Sequence, residues 1–559
     1  MQRMLLGAMV GATLVAGMPA FAQDTDRSAL MTAHRGGKLT LLAPGFDGSI
    51  DPQIAYDELT WQIHAVVYDQ LLTFQKADGD ASNVVVPDLA EALPEVSDDG
   101  RTLTFKLRRG IRFSNGAEVT TADVRASFER MFKVASPTSD KFYTGIVGAD
   151  ACVAERASCS LEKGIEIDPA SNTVTFHLVA PDAEFLSKVA MFHASIVPAD
   201  TPPTDQGVVP PLGTGPYMIT QYDPATGLTA VRNPEFKEWS AEAQPDGYVD
   251  EIQYTFGLDS NSALNAVLND QADWMFHRVP TERLGEISAS YSDRAHIHNE
   301  VSYWLAPMNT TIPPFNDVRV RQALAYAVDR AALVNQYGGP NLATPICQHL
   351  PVGIPGHVDF CDYTVNPGTS WSGPDMDRAR ALIAEAGVAG QKVTVFGDDR
   401  HNVRENALYL QSLLTELGFD AEVKILSDSL YWNYINNTEN KVQISVHRWM
   451  LDYPEPGNFI GALFTCANIR EASSSNVNLS GFCDPTLEQM IADANTATLK
   501  DRAAGAEAWS KIDRYVTENA PAVPLYQPKI LDVFSSRVGG APIAFSGLAS
   551  VTLSSLWVQ

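Results

Sequence analysis

The residues best suited to metal chemistry are His296 and His298, which would place two imidazoles on one face of a strand. No acid or third histidine stands at a telling spacing, so we interpret them as surface histidines and predict no metal site. The segment Gly36-Gly37-Lys38 is followed by Leu39 rather than Ser or Thr, which excludes a phosphate-binding loop. The sequence also lacks the zinc-protease, serine-hydrolase and dinucleotide-binding motifs. We therefore predict a non-enzyme without a cofactor, although an active site assembled from distant residues stays open as an alternative.

Cysteine is the other residue type that could do chemistry. The spacing contains no Cys-x-x-Cys, which argues against a zinc or redox centre. In an oxidising compartment the natural expectation is short disulfides between neighbours, although six cysteines permit other pairings. The three local couples are Cys152 with Cys159, Cys347 with Cys361, and Cys466 with Cys483.

An oxidising compartment is indicated by the N-terminus. Arg3 precedes an apolar run over residues 4–18, which closes with Pro19-Ala20-Phe21-Ala22. This pattern predicts a signal peptide over residues 1–22, with cleavage after Ala22 leaving 559 − 22 = 537 residues. The run is shorter than the roughly 20 apolar residues of a membrane span, and a retained anchor is the alternative. No cysteine lies near the site, so we expect a periplasmic protein that is not lipid-anchored.

The charge balance bears on possible partners. With 40 basic and 67 acidic residues the formal net charge is −27, and it becomes −28 once Arg3 is removed. Such a surface repels nucleic acid, so we predict no nucleic-acid partner. Because charges, Pro or Gly interrupt every later apolar stretch, we expect the mature chain to be soluble.

Regular elements can be read from the periodicity of apolar residues. Residues 102–107 and 173–178 alternate apolar and polar side chains, which predicts two half-buried strands. Between them, Thr121-Ala122-Asp123-Val124 predicts a helix start with a hydroxyl cap.

The second half of the chain has a helix-rich pattern. Asp317 can cap a helix whose apolar spacing continues through Leu333 and Val334, and another helix should follow Asp377 and stop at Gly387. A strand at 392–396, a helix ended by Gly418 and a strand through Val423 and Ile425 then suggest a βαβ unit. This succession of strand, helix and strand predicts an α/β protein with a mostly parallel sheet. A last strand over residues 442–446 leads into His447-Arg448-Trp449.

Several blocks resemble a long family signature and occur in the family's order along the chain. They resemble the dipeptide and oligopeptide binding proteins of ABC importers, family 5 of the extracellular solute-binding proteins. The blocks are VPDLAE (86–91), SDDGRTLTFKLRRG (97–110), FSNG (113–116), TADV (121–124), GTGPY (213–217), PFNDVRVRQAL (314–324) and WMLDYPEP (449–456).

The resemblance implies a periplasmic binding protein fold of the type II-like class, with two lobes, a ligand cleft and an extra inserted domain. Domain I would comprise residues 23–72, 197–302 and 528–559, domain II residues 73–196, and domain III residues 303–527. Two strands linking domains I and III would form the hinge. The Pro- and Gly-rich stretch 201–215 is the clearest connector.

The resemblance implies a monomeric receptor that closes over a small solute, a peptide, and delivers it to the membrane permease subunits of an ABC importer. Alternatives within the family are receptors for oligosaccharides, opines or metal chelates. The alternative from another class is an exported hydrolase acting on small peptides.

Three residues carry the peptide hypothesis. In peptide-binding members the pattern Trp-x-x-Asp places a carboxylate against the ligand's amino terminus, and here it corresponds to Trp449 and Asp452. Trp449 would line a side-chain pocket, and Trp432 matches another aromatic of the cleft. The alternative for Asp452 is a turn-forming role before Tyr453-Pro454.

Four further candidates rest on residue type and position. Arg448 could bind a ligand carboxylate through its forked guanidinium, or simply be a surface arginine. Peptide receptors of the family often carry a small residue just before the tryptophan of this pattern, where this chain has Arg448. The difference leaves open a ligand other than a dipeptide. Tyr56, Tyr303 and Trp304 are aromatics near the predicted domain boundary that could pack on ligand, or equally belong to the core.

Overall fold

The computed structural model describes residues 27, 29–46, 48–540, 544–545 and 550–559. The signal peptide expected over residues 1–22 lies outside these described residues. Within the described part, no helix is long and apolar enough to cross a membrane.

Strands and helices are distributed along the whole described chain. The strands are β1 (Lys38–Ala43), β2 (Leu72–Phe74), β3 (Val85–Pro87), β4 (Glu95–Val96), β5 (Thr102–Lys106), β6 (Ile165–Asp168), β7 (Thr173–His177), β8 (Tyr217–Asp223), β9 (Gly227–Arg232), β10 (Glu251–Phe256), β11 (Trp274–Met275), β12 (Ala295–Asn299), β13 (Ser302–Pro307), β14 (Ala343–Pro345), β15 (Lys392–Asp398), β16 (Asp420–Leu426), β17 (Ile444–Ser445), β18 (His447–Met450), β19 (Ala522–Val533), β20 (Val538–Gly540), β21 (Ala544–Phe545), β22 (Ser550–Val551) and β23 (Leu556–Val558). The helices, labelled from Glu58 onwards, are α1 (Glu58–Val67), α2 (Thr121–Lys133), α3 (Ser139–Phe142), α4 (Ala149–Ala154), α5 (Phe185–Val189), α6 (Ser260–Leu268), α7 (Leu284–Ser290), α8 (Val318–Ala327), α9 (Arg330–Tyr337), α10 (Met376–Ala386), α11 (His401–Glu416), α12 (Asp428–Asn436), α13 (Ile460–Phe464), α14 (Pro485–Lys500) and α15 (Arg502–Asn519).

The first sheet is built around β1, in the order β11-β1-β10-β9-β8. β1 runs parallel to both β10 and β11, while β9 is antiparallel to β10 and to β8. Leu39 and Leu41 of β1 pack with Ile252 of β10 and with Ile63 and Val66 of α1 in one buried cluster. Burial of these apolar side chains holds α1 against the sheet.

A second, antiparallel sheet has the order β4-β5-β7-β6. β5 and β7 pair from Thr102 with His177 to Lys106 with Thr173, and alternate side chains on both strands are buried. The half-buried strands that the sequence predicted here are confirmed. Helix α2 starts with a capping box between Thr120 and Asp123, and it contributes its apolar stripe to the core of this sheet.

The third sheet has the order β16-β15-β17, and all its pairings are parallel. Helix α11 connects β15 to β16, so the predicted βαβ unit is confirmed. Gly387 ends α10 in a left-handed conformation with φ of 67°, as the sequence indicated. The cap of α10 is Asp375 rather than Asp377, because the carboxyl of Asp375 accepts the N–H of Arg378.

The fourth sheet has the order β12-β19-β13-β18, with β14 also pairing with β19. The long strand β19 pairs with β13 through its first half and with β12 through its second half. Phe534, directly after β19, packs in the cluster of the β1 sheet, whereas Val523 and Leu525 pack with the β15 sheet. The chain therefore passes between these two regions along β19 and again between β12 and β13. The domain boundaries given above remain predictions.

One helix of the sequence analysis is two helices in the structure. α8 ends at Ala327 and α9 begins at Arg330, although the apolar spacing continues through Val334. Asp329 accepts the N–H of Ala332 and caps the second helix. Local capping by an aspartate thus interrupts a helix that periodicity alone would continue.

The six cysteines form the three predicted local disulfides. Their sulfur–sulfur distances are 2.01 Å, 1.96 Å and 2.09 Å for Cys152–Cys159, Cys347–Cys361 and Cys466–Cys483.

Candidate functional site

Strand β18 is an edge strand, because within the described chain only β13 pairs with it. Trp449 lies opposite Tyr303, and the N–H of Leu451 donates to the carbonyl of Val301 at 3.2 Å. In an antiparallel ladder hydrogen-bonded pairs alternate with non-bonded pairs, so Arg448 and Met450 direct their main-chain groups away from β13. Those groups are available at the open edge.

Asp452 lies two residues after the end of this strand, and its carboxyl contacts Tyr56. Its carboxyl accepts the Tyr56 hydroxyl and, at 2.8 Å, the amide of Asn458, while its N–H donates to the Asn458 side chain at 2.8 Å. Burial raises the pKa of Asp452 above its ordinary value, against the opposing effects of Tyr56, Asn458 and Lys141. No Lys, Arg or His of the described chain forms an ion pair with this carboxyl within 4.0 Å.

Aromatic side chains surround this carboxyl. Tyr56 is 41% exposed and its ring lies edge-on to Trp61, at 5.6 Å between centroids. The ammonium of Lys141 lies 5.6 Å from the Tyr56 ring centroid. The indole N–H of Trp449 donates to the carbonyl of Asn458 at 2.8 Å, which fixes the ring beside Asp452. Asn458 thus positions both members of the Trp-x-x-Asp pattern.

Arg448 lies near the other end of the strand, in a network of ion pairs. Its guanidinium binds Glu300, which is fully buried between β12 and β13, and Glu58 at 3.1 Å. Arg278 binds the second oxygen of Glu300 at 2.7 Å, and Ser302 donates to the first at 2.7 Å. Burial opposes ionisation of Glu300, but Arg448 and Arg278 outweigh it and lower its pKa to about 2. Glu300 therefore stays charged and joins two arginines from different regions of the chain.

These residues line two adjoining cavities. The larger and more open one, about 800 Å³, is lined by both Asp452 and Arg448, with Tyr56, Trp432 and Trp449. The second, about 420 Å³, shares Arg448 and Trp432 with the first. We call the two together the cleft. Its lining residues come from the β1 region on one side and from the β13, β15 and β18 region on the other.

The comparisons with known proteins place the chain in a family. Residues 84–471 match the model of the bacterial extracellular solute-binding proteins, family 5. The chain belongs to this family.

The relatives of this solute-binding protein match it over most of its length. A di/tripeptide-binding protein of Pseudomonas aeruginosa is 25% identical over 497 residues, covering 85% of this chain and 86% of the relative. A dipeptide-binding protein of Escherichia coli is 25% identical over 533 residues, covering 90% and 91%.

Solved structures agree on the fold. An oligopeptide binding protein of clavulanic acid biosynthesis superposes with a TM-score of 0.84 at 26% identity, covering 94% of this chain and 96% of that one. A periplasmic binding protein of Helicobacter pylori in complex with the peptide STSA gives 0.74 at 20% identity, covering 95% and 99%. The type II-like fold predicted for this solute-binding protein is thereby confirmed.

Most of the predicted site residues of the solute-binding protein lie together in the cleft, and their roles in binding remain proposals. Trp304 is 4% exposed, yet it lines the smaller cavity beside Arg448, its partner across the β13–β18 ladder. The residues brought together are Tyr56, Trp304, Trp432, Arg448, Trp449 and Asp452.

The prediction for Tyr303 needs correction. Its side chain is fully buried, its hydroxyl pairs with His349 at 3.2 Å, and its ring packs in the core with Phe459. Because side chains alternate along β13, Tyr303 points into this core while Trp304 points to the cleft.

Sequence reasoning missed Arg278, Arg400 and Glu300. Arg400 follows the carboxyl end of the parallel strand β15, where ligands of α/β proteins commonly bind, so strand position could have indicated it. Glu300 is the one acid in the two-residue connection Glu300-Val301 between β12 and β13. Arg278 carries no local signal, since it joins the site only through tertiary contacts.

Proposed function

We propose that this chain is a periplasmic receptor of an ABC importer, which binds short peptides in the cleft and delivers them to the membrane permease. It is exported through its N-terminal signal peptide, acts as a monomer and does not hydrolyse its ligand. The observation that carries the peptide ligand is an edge strand followed, two residues on, by a half-buried carboxylate whose direct partners are neutral and which forms no ion pair within 4.0 Å in the described chain. Lys141 acts on this carboxylate only at longer range.

The edge strand supports recognition of a peptide main chain. The open N–H and C=O groups of Arg448 and Met450 can pair with an extended ligand, as in other strand-addition complexes. Such bonds are independent of the ligand's side chains, which suits a receptor for many sequences.

Asp452 supports recognition of the ligand's α-ammonium. Its present partners, Tyr56 and Asn458, are neutral hydrogen-bond donors, and burial of its charge is unfavourable. An incoming ammonium would supply a positive charge in direct contact with the carboxylate and form a charge-assisted hydrogen bond.

Closure of the cleft is supported by contacts across it. Tyr56 reaches Asp452, and Glu58 reaches Arg448, so the segment at the start of α1 contacts both ends of β18. A ligand that bridges the same surfaces favours the closed form by the difference in its contacts between the open and closed states.

Relatives named for di- and tripeptide binding support short peptides over other solutes. A receptor for sugars would use the aromatic rings without needing Asp452. An Asp452→Ala variant with unchanged ligand affinity would therefore favour a sugar.

The proposal is tested by native mass spectrometry of the purified protein, followed by calorimetric titration with a mixture of di- to pentapeptides. We expect a bound peptide that is released intact after denaturation. Cleaved peptides would identify a hydrolase, and a co-purified ligand without an amine would contradict the peptide receptor.

A further inference from the structure

The loop that follows Asp452 packs against the sheet β4-β5-β7-β6. We call residues 453–458 the Asp452 loop; its first residue, Tyr453, is buried in the hydrophobic core of that sheet. The Tyr453 ring lies edge-on to Phe142, with 5.3 Å between the ring centroids. Leu451 and Phe459, on either side of the loop, belong to a different core, which contains Tyr303 of β13. The Tyr453 ring therefore joins two separate cores.

Hydrogen bonds add to this packing. Glu184 lies directly before helix α5 and is buried. Its carboxyl accepts the N–H of Gly457 at 2.8 Å and the hydroxyl of Tyr453 at 3.1 Å. Ser187 of α5 donates to the carboxyl of Glu455 at 2.9 Å. Helix α5 and the residue before it thus bind the Asp452 loop at three positions.

Gly457 marks the closest approach of the loop to Glu184. A Cβ atom on Gly457 would overlap the Glu184 carboxyl. The φ of Gly457 is not left-handed, so lack of space, and not the backbone conformation, requires glycine here. An alanine at this position should therefore push the loop away from Glu184 without straining its own backbone.

The next residue of the loop, Asn458, holds the proposed binding residues. Its side chain donates to the carboxyl of Asp452 and accepts the N–H of Asp452, both at 2.8 Å. Its carbonyl accepts the indole N–H of Trp449 at 2.8 Å. A displacement of Gly457 moves Asn458 through the peptide bond that they share. Glu184 can therefore act on Asp452 and Trp449 through the loop.

We propose that Glu184 is a positioning residue of the ligand site, which separates from the Asp452 loop when the cleft opens and rejoins it when the cleft closes on the ligand. The contact consists of one aromatic ring and three hydrogen bonds between two cores, so the cores can part there. The inference deepens and rests on the proposed function, in which the cleft closes over the ligand and Asp452 takes its ammonium.

The surroundings of Glu184 make this contact sensitive to pH. Burial raises the pKa of Glu184 to about 7, Glu455 and Asp182 raise it as well, and Lys188 and the N–H of Gly457 oppose them. A proton therefore binds Glu184 more tightly when the loop covers it than in water, where its ordinary pKa is 4.5. The titratable and charged groups around it are Asp182 and Lys188 on its own segment, Tyr453 and Glu455 of the loop, Arg502 bound to Glu455, and Lys141, Asp452 and Arg470 in the cavity that they share.

The first test uses alanine substitutions on both sides of the contact, with Ala-Ala-Ala as the titrated peptide. We expect Glu184→Ala and Gly457→Ala each to lower its affinity about fivefold or more in calorimetry. The double variant should bind no more weakly than Glu184→Ala, because the added Cβ no longer meets a carboxyl.

The matched control is Gly461→Ala in helix α13, where an added Cβ has no atom within 4 Å. It should leave the affinity unchanged. Unchanged affinity in Glu184→Ala, or an equal loss from Gly457→Ala in both backgrounds, overturns the inference.

The second test is a pH profile, which a purely structural role would not alter. Glu184→Gln keeps the size of the side chain but cannot take up a proton. Since the covered carboxyl has a pKa of about 7 and the uncovered one of 4.5, protonation favours the closed form as the pH falls below 7. We expect the affinity of the wild type relative to Glu184→Gln to rise roughly tenfold from pH 8 to pH 6. The ratio cancels the titration of the peptide and of other groups. A ratio independent of pH would show that Glu184 is equally buried in the free and liganded protein, which overturns the inference.

The third test requires no assumption about the ligand. Hydrogen exchange followed by mass spectrometry reports the N–H of Gly457 and its neighbours in the Asp452 loop. We expect Glu184→Ala and Gly457→Ala to speed exchange of residues 453–458 about tenfold, and Gly461→Ala to leave it unchanged. If no peptide binds while these differences appear, the peptide proposal fails and the contact stands, and the titrations use the ligand that co-purifies. Exchange that is the same in all variants rejects the contact itself.

Discussion

Asp452 and Arg448 lie four positions apart but have opposite electrostatic surroundings. Asp452 has neutral hydrogen-bond donors as its direct partners, so burial raises the pKa of its carboxyl. Arg448 lies between Glu58 and Glu300, which together favour its charged form against burial. Asp452 therefore has no directly bound counter-ion, since Lys141 acts on it only at longer range, whereas Arg448 binds two carboxylates. We assign the ligand's ammonium to Asp452.

Replacement of Asp452 by Asn keeps the size of the side chain and removes its charge. We expect the affinity for a free tripeptide to fall roughly 30-fold or more, because the buried ammonium loses its counter-ion. Calorimetry measures this loss. The N-acetylated tripeptide is the control, and it should bind both proteins equally weakly. Equal affinity of the two proteins for the free tripeptide would exclude the assigned role.

Trp304 and Tyr303 offer a matched pair of neighbours on opposite faces of β13. We expect Trp304→Phe to lower ligand affinity several-fold, since it removes from the smaller cavity of the cleft an indole N–H that has no hydrogen-bond partner among the described residues. Tyr303→Phe should leave affinity unchanged and lower the free energy of unfolding by about 1 kcal/mol, because only the bond to His349 is lost. Titration calorimetry and urea unfolding measure the two effects. A loss of affinity in the tyrosine variant alone would reverse the assignment.

Strand β18 is the last strand of its sheet, and this position leaves one of its edges open within the described chain. Its pairing with β13 leaves one row of main-chain groups unpaired within the described chain, and its last residue precedes Asp452 by two positions. An unpaired edge invites pairing with another strand, and here the cleft restricts that partner to a small ligand. The disulfide Cys466–Cys483 and helix α13 lie in the segment that follows this strand.

N-methylation of the ligand tests the main-chain pairing. In an extended peptide the N–H groups of successive residues point to opposite sides, so only alternate ones can face β18. We expect a tetrapeptide methylated at one of two adjacent internal nitrogens to bind about tenfold more weakly, and the peptide methylated at the other to bind nearly as the parent. Calorimetry compares the three peptides. Equal affinity for all of them would rule out strand addition.

At the scale of the whole molecule, Glu300 lies at the crossing, the point between β12 and β13 where the chain passes from one region bordering the cleft to the other. It is fully buried between β12 and β13, and it binds Arg278 from one region and Arg448 from the other. A buried carboxylate with two arginines is costly to break, since loss of its charge leaves both cations uncompensated. The crossing is thus fixed electrostatically.

Glu300→Gln should lower the free energy of unfolding by roughly 3–5 kcal/mol at neutral pH. Because the native pKa of Glu300 is about 2, below its ordinary value of 4.5, its contribution is present above pH 4.5 and is lost as the pH falls toward 2. The difference between wild type and variant should therefore shrink below pH 4.5. Urea unfolding between pH 3 and 7 measures it.

The matched control is Glu58→Gln, which removes the second partner of Arg448. Its side chain is 20% exposed, and Arg448 retains Glu300, so we expect a loss of about 1 kcal/mol or less. Equal destabilisation by both variants at every pH would contradict the role assigned to Glu300.

The sequence by itself predicted most local elements and favoured the local disulfide pairing that the structure shows. Alternation at 102–107, the capping box of α2 and the βαβ unit around α11 depend on neighbours along the chain, so periodicity and capping were sufficient to predict them. Where two local signals conflicted, as at Asp329, the cap prevailed over the apolar spacing. The motifs also indicated the family, because they recur in its order along nearly the whole chain.

Only the tertiary structure decided which side of each strand faces the cleft and which charges meet there. Tyr303 and Trp304 are equivalent in sequence, but one points into the core and the other toward the cavity, depending on a register that the sequence does not reveal. Arg278, Glu300 and Arg448 are distant along the chain, and the crossing of β12, β13 and β19 brings them together. The electrostatic character of the cleft follows from distances between elements, which local residue patterns do not encode.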